Sequence, residues 1–394
     1  MTDRRETPEE ASMIGPTDGG MNRRKFLQVV GVTGAGTAAL SGCSTAKVEK
    51  LIPYLVQSED QVPGIPTIYA STCTECAAGC GLHVTTREAR AIKLEGNPNH
   101  PVNRGTLCAR GQAALQGLYN PGRITGPMAR TGTGGFQEIT WDEAINRLAE
   151  KLKGAQGKLA VLSGAGQGTF TDLLAGWTAA QGGTLARWEP FDHEAMRAAN
   201  RRVFGLDQLP AHDFARARFI LSFGADFLES WLAPVENQRG FAEAHGFANG
   251  EVARFVYVGP RRSLTGLNAD EWHPTKPGSE AALALAMANV ILSERTAAPA
   301  DANALRGALA AWTPERAAEA TGLTAPAITR LAREFASAKP GLAIAGGIAS
   351  QHRGAIEVCE AVNLLNYVAG NVGETVRFGA RLQAGDGYAG ITVL

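Results

Sequence analysis

Read for hydrophobic and polar positions alone, the chain changes texture several times. Residues 1–20 are polar and low in aromatics, a disordered extension with too little apolar surface for a core. An apolar run follows at 29–40, then a proline-containing linker at 44–65. From 66 to 128 apolar positions are sparse and loops dominate. Within it, His83-Val84-Thr85-Thr86 and Ala91-Ile92-Lys93-Leu94 predict two strands of a hairpin. From 129 to 394 the pattern alternates between helical spacing and short apolar runs. Thr140-x-x-Glu143 is a capping box; Trp141, Ala144, Ile145, Leu148, Ala149 and Leu152 recur at helical spacing, and Gly154 ends the helix. Runs at 159–163, 218–223, 252–258 and 342–345 predict strands. Helices are predicted near 170–181, 193–203, 232–245, 279–293, 324–337 and 354–369. Such alternation predicts an α/β fold, a doubly wound parallel sheet covered by helices on both faces.

At 394 residues the chain exceeds one ordinary domain and can bury a sizeable core. Hydrophobic residues make up 44% and charged residues 19%, which is a globular balance. Lys+Arg and Asp+Glu are equal at 38 each, so nothing basic points to nucleic acid. Of six cysteines, four fall in one motif, which excludes a disulfide scaffold.

That motif, between Thr72 and Arg110, changes the picture most. Cys73, Cys76 and Cys80 form C-x2-C-x3-C, and Cys108 follows after 27 residues. Three thiolates on one loop can cap three corners of a [4Fe–4S] cubane, and a distant fourth closes the cage. Gly79 and Gly81 flank Cys80 and let the backbone wrap closely. Tetrahedral zinc and disulfide pairing are the alternatives, although zinc ligands usually arrive as two separated pairs.

The apolar run at 29–40 is too short to span a bilayer comfortably. It follows Arg23-Arg24-Lys25-Phe26-Leu27, and together they read as a Tat export signal; a buried helix behind a basic run is the alternative. The run closes with Leu40-Ser41-Gly42-Cys43, similar to a lipoprotein signal in which Cys43 is acylated, unless the tetrapeptide is a chance match. Export and cysteines fit together. Tat carries folded proteins, so a cluster inserted beforehand would shield thiolates from oxidants outside.

The cysteine motif, Lys93-Leu94-Glu95-Gly96-Asn97-Pro98 with His100-Pro101, and Gly105 to Gly111 resemble the bis-molybdopterin-guanine-dinucleotide oxidoreductases. Within them the chain is most similar to the cluster-bearing B subunit of alternative complex III, a quinol-oxidising membrane assembly. The resemblance covers residues 66–380. It implies a 4Fe–4S domain at 66–128, followed by molybdopterin-oxidoreductase-type sheet domains that relatives continue beyond Leu394. It also implies that turns at Gly164, Gly224, Arg261 and Glu280 hold the pterin's nucleotide, and that Arg110 lies between cluster and pterin. Departures accompany it. Gly259-Pro260-Arg261 stands where relatives have Asp-Pro-Arg, and Ser279-Glu280 where they have Thr-Asp. The loop expected to ligate the metal, Glu189 to Ala195, offers Asp192 but no cysteine or serine.

These departures weigh against a bound Mo/W-bis-MGD. The leading expectation is an exported electron-transfer subunit with one cluster, partnered by membrane, iron–sulfur or cytochrome subunits of a respiratory complex on the periplasmic side. The alternatives are the N-terminal part of a catalytic Mo/W oxidoreductase, and a docking scaffold with a structural cluster. Cys359, among Ile356, Val358 and Val362, is expected to be a buried, inert thiol.

Overall fold

The computed structural model describes Val62 and residues 64–379, apart from 133, 156, 165–168, 189–192, 248–249, 295–300 and 348–350. The expected Tat signal, Cys43 and Asp192 lie outside the described residues.

The cysteine-bearing region is built on an antiparallel sheet of β1 (Thr67–Thr72), β2 (Gly81–Arg87) and β3 (Arg90–Gly96), in the order β1-β2-β3. The predicted hairpin is β2–β3. Strand β1 was not predicted, because its residues are almost all exposed and show no apolar face. Helix α1 (Ala109–Leu118) starts directly after Cys108. Close approaches hold this region. A Cβ on Gly81 would meet the His100 ring at 2.5 Å, and one on Gly96 would meet the Thr106 carbonyl at 2.3 Å.

Asn103, fully buried, ties the two arms together. Its side chain accepts from Gly81 N at 2.9 Å and donates to Gly81 O at 2.9 Å and Thr106 O at 2.7 Å. Asn103→Ala strands buried backbone groups beside Cys80, so thermal or urea unfolding is expected to show a loss of about 2–4 kcal/mol.

A short hairpin follows, β4 (Met128–Arg130) and β5 (Phe136–Glu138). Helix α2 (Trp141–Lys153) is capped by Thr140, whose side chain accepts from Glu143 N, as the capping box predicts. Its apolar stripe is present, yet no residue of α2 is buried, and Trp141 is 67% exposed. Next come β6 (Ala160–Gly164), α3 (Thr169–Ala180) and β7 (Thr184–Trp188), with β6 and β7 parallel.

The main core is assembled from α4 (Glu194–Phe204), β8 (Ala211–His212), β9 (Phe219–Phe223), α5 (Pro234–His245), β10 (Arg254–Val258), α6 (Leu264–Leu267) and β11 (Glu271–His273). It continues through α7 (Glu280–Glu294), α8 (Ala302–Leu309), α9 (Pro314–Thr321), α10 (Ala325–Ser337), β12 (Gly341–Ala345), α11 (Ala355–Ala369) and β13 (Val376–Arg377). Strands β11-β10-β9-β12 form one parallel sheet, and β8 pairs antiparallel with β13. All residues of β9 and β12 are buried, as continuous apolar runs demand when helices cover both faces. Helix α7 is apolar on nearly every side and packs against α9, α10 and α11.

The predicted α/β class with a parallel sheet is present, but the strands divide differently. The run at 159–163 was expected beside the others; as β6 it pairs with β7, apart from the four-stranded sheet. Its partner β7 mixes Thr, Ala and Arg with Leu and Trp, so it offered no apolar run to read. Strand β11 has only three residues, too few for a period.

Candidate metal centre and nucleotide cradle

The cysteine loop closes on itself: Cys73 N donates to Cys80 O at 2.8 Å. Cys73 and Cys80 are buried; Cys76 and Cys108 are half-buried. Gly79 takes a left-handed φ of 58°, which lets the chain double back between Cys76 and Cys80. Burial pushes the Cys73 thiol up, against a lowering hydrogen bond from the Glu75 backbone. The Cys80 thiol is pushed up to about 12, first by burial and then by Cys76, Cys73 and Cys108. Four thiolates this close repel one another, and only bound positive charge makes them all favourable.

Among the described residues, no three His, Cys, Asp or Glu side chains gather tightly enough for a single metal ion. The thiols nevertheless feel one another electrostatically. Zinc needs its sulfurs about 2.3 Å from one atom, whereas a cubane spreads them over four irons. Three thiols on one loop with a distant fourth suit the cluster, since zinc ligands usually arrive as two separated pairs. Arg110 stands in the first turn of α1, two residues past Cys108.

The second constellation lies at the carboxyl edge of the four-stranded sheet, where open parallel sheets bind ligands. Gly224 follows β9 with a φ of 72°, and a Cβ on Gly259, after β10, would lie 3.9 Å from the Gly224 Cα. Two backbone turns therefore approach each other there, beside the Tyr257 ring. Beneath them, the buried Asp226 carboxylate accepts from Ser263 Oγ at 2.5 Å, Tyr257 OH at 3.1 Å and an Arg261 guanidinium nitrogen at 3.2 Å. Burial holds the Asp226 carboxyl above the usual carboxylate range, and the Ser263 bond works against it. Burial, first, pushes the Tyr257 hydroxyl up to about 12. Beyond β11, Gly278 takes a φ of 80° and delivers Glu280 to the start of α7. Glu280 is 6% exposed, and its Oε2 has no hydrogen-bond partner among the described residues. A buried acceptor left open at a sheet's carboxyl edge suits a base that donates N–H groups, as guanine does.

Of the predicted nucleotide residues, Gly224, Arg261 and Glu280 share this edge. Gly164 does not, because it ends β6 in the separate two-stranded sheet. His193 and Glu194 lie at the start of α4, as helix-terminal residues, and Cys359 is buried with its thiol pushed up to about 12 by burial. The network of Tyr257, Ser263 and Glu229 was not predicted. Glu229 accepts from Thr265 N and Oγ1 at 3.0 and 3.1 Å. The one available signal was Ser263, a cap residue preceding Gly266, whose N–H its side chain accepts.

Comparison with known families decides the assignment. The molybdopterin oxidoreductase model matches residues 123–387, and the molybdopterin oxidoreductase Fe4S4 domain matches residues 66–120. The chain belongs to the molybdopterin oxidoreductase family. Among curated relatives of this family, the menaquinone reductase molybdopterin-binding-like subunit of Nitratidesulfovibrio vulgaris is 32% identical over 362 residues, 89% of this chain and 51% of that protein. The molybdopterin-containing subunit of thiosulfate reductase from Salmonella typhimurium is 27% identical over 375 residues, 89% of this chain and 46% of that protein. This molybdopterin oxidoreductase chain thus spans about half the length of these relatives. Acetylene hydratase from Pelobacter acetylenicus shares the fold, with a TM-score of 0.61 at 20% identity over 77% of this chain and 43% of that one. The two family matches support both a 4Fe–4S cluster and a molybdopterin cofactor, the second of which the sequence departures weighed against.

Proposed function

We propose that this chain is the cluster-bearing N-terminal part of a molybdenum or tungsten bis-molybdopterin-guanine-dinucleotide oxidoreductase. The observation that carries this reading is the open, buried Glu280 carboxylate at the same sheet edge as Gly224 and Arg261. Cys73, Cys76, Cys80 and Cys108 would hold a [4Fe–4S] cluster. The turns at Gly224 and Gly259 would bring backbone to the nucleotide's phosphates, Arg261 would offer them charge, and Glu280 would accept from the guanine. When bound, the group supplies a metal redox centre beside the cluster's one-electron couple. Arg110 would place a fixed cation near the cluster and favour its reduced, more negative state.

A second reading has its own support. Asp226 already pairs with Arg261 at 3.2 Å, and a buried carboxylate under the turn opposes a phosphate. That favours an electron-transfer subunit of a quinol-oxidising complex similar to alternative complex III, with the cradle kept as scaffold.

Elemental analysis of anaerobically purified protein separates them. About four irons and four sulfides are expected on either reading. Stoichiometric molybdenum or tungsten, with the fluorescence of oxidised pterin, is expected on the first; iron and sulfide alone would promote the second. Zinc without iron would refute both.

Export belongs to the same proposal: Tat transport of the loaded protein to the periplasmic side of the membrane, beside membrane, iron–sulfur or cytochrome subunits. Changing Arg23 and Arg24 together to Lys is expected to abolish export, since the pathway reads the arginine pair. Cell fractionation measures it, and periplasmic accumulation of the double variant would remove the Tat assignment.

A further inference from the structure

We propose that Val235 is a positioning residue that holds the cluster's reduction potential low by keeping one side of it dry. The inference rests on the cluster reading above.

Val235 lies in the α/β region, far along the chain from the cysteines. Yet it is 3% exposed and packs in one buried group with Cys73, Cys80, Leu82 and Leu94. The rest of that group, including its partly buried rim of Ala78, Leu107 and Cys108, belongs to the cysteine-bearing region. Val235 is thus the contribution of the α/β region to the wall around the thiolates. With Cys73 and Cys80 buried and Cys76 and Cys108 half-buried, the site has a dry side and a wetter side. Val235 stands on the dry side.

Its placement is not incidental. Val235, Arg239 and Glu243 are four residues apart on α5 and share one face. Arg239 Nη1 donates to the Arg104 carbonyl at 3.4 Å, and Arg104 pairs with Glu243 at 3.8 Å. One stripe of α5 therefore lies along the loop that leads into Cys108. Two polar contacts run along this stripe, and the apolar residue at its first turn joins the buried group that contains Cys73 and Cys80.

The sign of the effect follows from charge. A four-thiolate cluster becomes more negative when it takes an electron. Water or a hydrogen bond to a sulfur stabilises that extra charge, and a hydrocarbon wall does not. Val235 therefore disfavours reduction.

The test is potentiometric titration, followed by electron paramagnetic resonance, of the whole 394-residue chain purified without oxygen. Val235→Thr keeps the shape and adds a donor; Val235→Ala shortens the wall and admits water. Each is expected to shift the oxidised–reduced equilibrium toward the reduced form, Val235→Thr by roughly tenfold, which for a one-electron couple is about 59 mV. Val235→Ile, which keeps the wall dry, is expected to leave the potential in place. Iron and sulfide are counted in every variant. Unmoved potentials in the Thr and Ala variants at full iron content would overturn the inference, as would an Ile variant that shifts as far as they do. Loss of iron from both the Thr and Ala variants would also overturn it, since Val235 would then serve only to retain the cluster. Absence of iron from the unaltered protein is a different outcome, and it would sink the cluster reading itself.

Discussion

Cys76→Ala protein, purified anaerobically, is expected to lose most of its iron and acid-labile sulfide, and with them the stability of residues 69–118. The reason lies in how little else holds that region. Its buried apolar group contains Cys73, Cys80, Leu82, Leu94 and the imported Val235, and two of these are themselves thiols. A core this small contributes little by burial, so a bound cluster that ties Cys108 to the loop of Cys73 to Cys80 must supply most of the cohesion. Cys76 is half-buried, so its replacement by Ala leaves only a small cavity of its own, and losses beyond about 1–2 kcal/mol would come from the cluster rather than from packing. Hydrogen exchange reads the outcome region by region. Fast exchange across β1, β2, β3 and α1, with slow exchange kept in β9, β10 and β12, is the expected pattern. Full iron content with unchanged protection would refute thiolate ligation by Cys76.

Acid is expected to destabilise the α/β region through His212, separately from the cluster. His212 lies on β8, opposite Val376 of β13, with its ring tilted against Trp231 at 4.8 Å. Burial pushes its imidazole down to about 3, from an ordinary value near 6.5. Asp213 and Arg377 beside it are paired with each other at 2.8 Å, so that carboxylate is not free to support an imidazolium. Between pH 6.5 and 3 the unfolded chain therefore binds a proton that the folded chain refuses. The contribution is complete above pH 6.5 and is lost as pH falls through this window. Its slope is at most about 1.4 kcal/mol per pH unit, reduced here because the ring edge meets a polar cavity of about 370 Å³ that also carries Arg104 and Arg239. Thermal unfolding from pH 7 to 4 should show a shallower decline in His212→Asn than in the unaltered protein. Parallel declines would show that the imidazole can be protonated in place.

What the sequence determined by itself was local. The ligand set Cys73, Cys76, Cys80 and Cys108 was legible because cluster chemistry is written in cysteine spacing along the chain. The helices at 194–204, 234–245, 325–337 and 355–369 were legible because apolar positions on a helix repeat every three to four residues, and the helix at 280–294 as a long, almost continuously apolar stretch. The buried strands β9, β10 and β12 announced themselves as apolar runs. Only the tertiary structure decided which strands are neighbours. Pairing is a property of edges, and an apolar run such as β6 does not say which other strand it will meet. For the same reason Gly164 could not be separated in advance from Gly224 and Glu280, although all follow or precede elements of the same texture. Helix α2 shows the converse: its amphipathic period is plain, but among the described residues nothing buries it, because a period states which face is apolar and not what will cover it. The Asp226–Tyr257–Ser263–Arg261 network and the place of Val235 beside the cysteines were decided the same way. Each brings together residues from successive strands or distant helices, and no local pattern encodes a contact that the chain makes only after its sheet has closed.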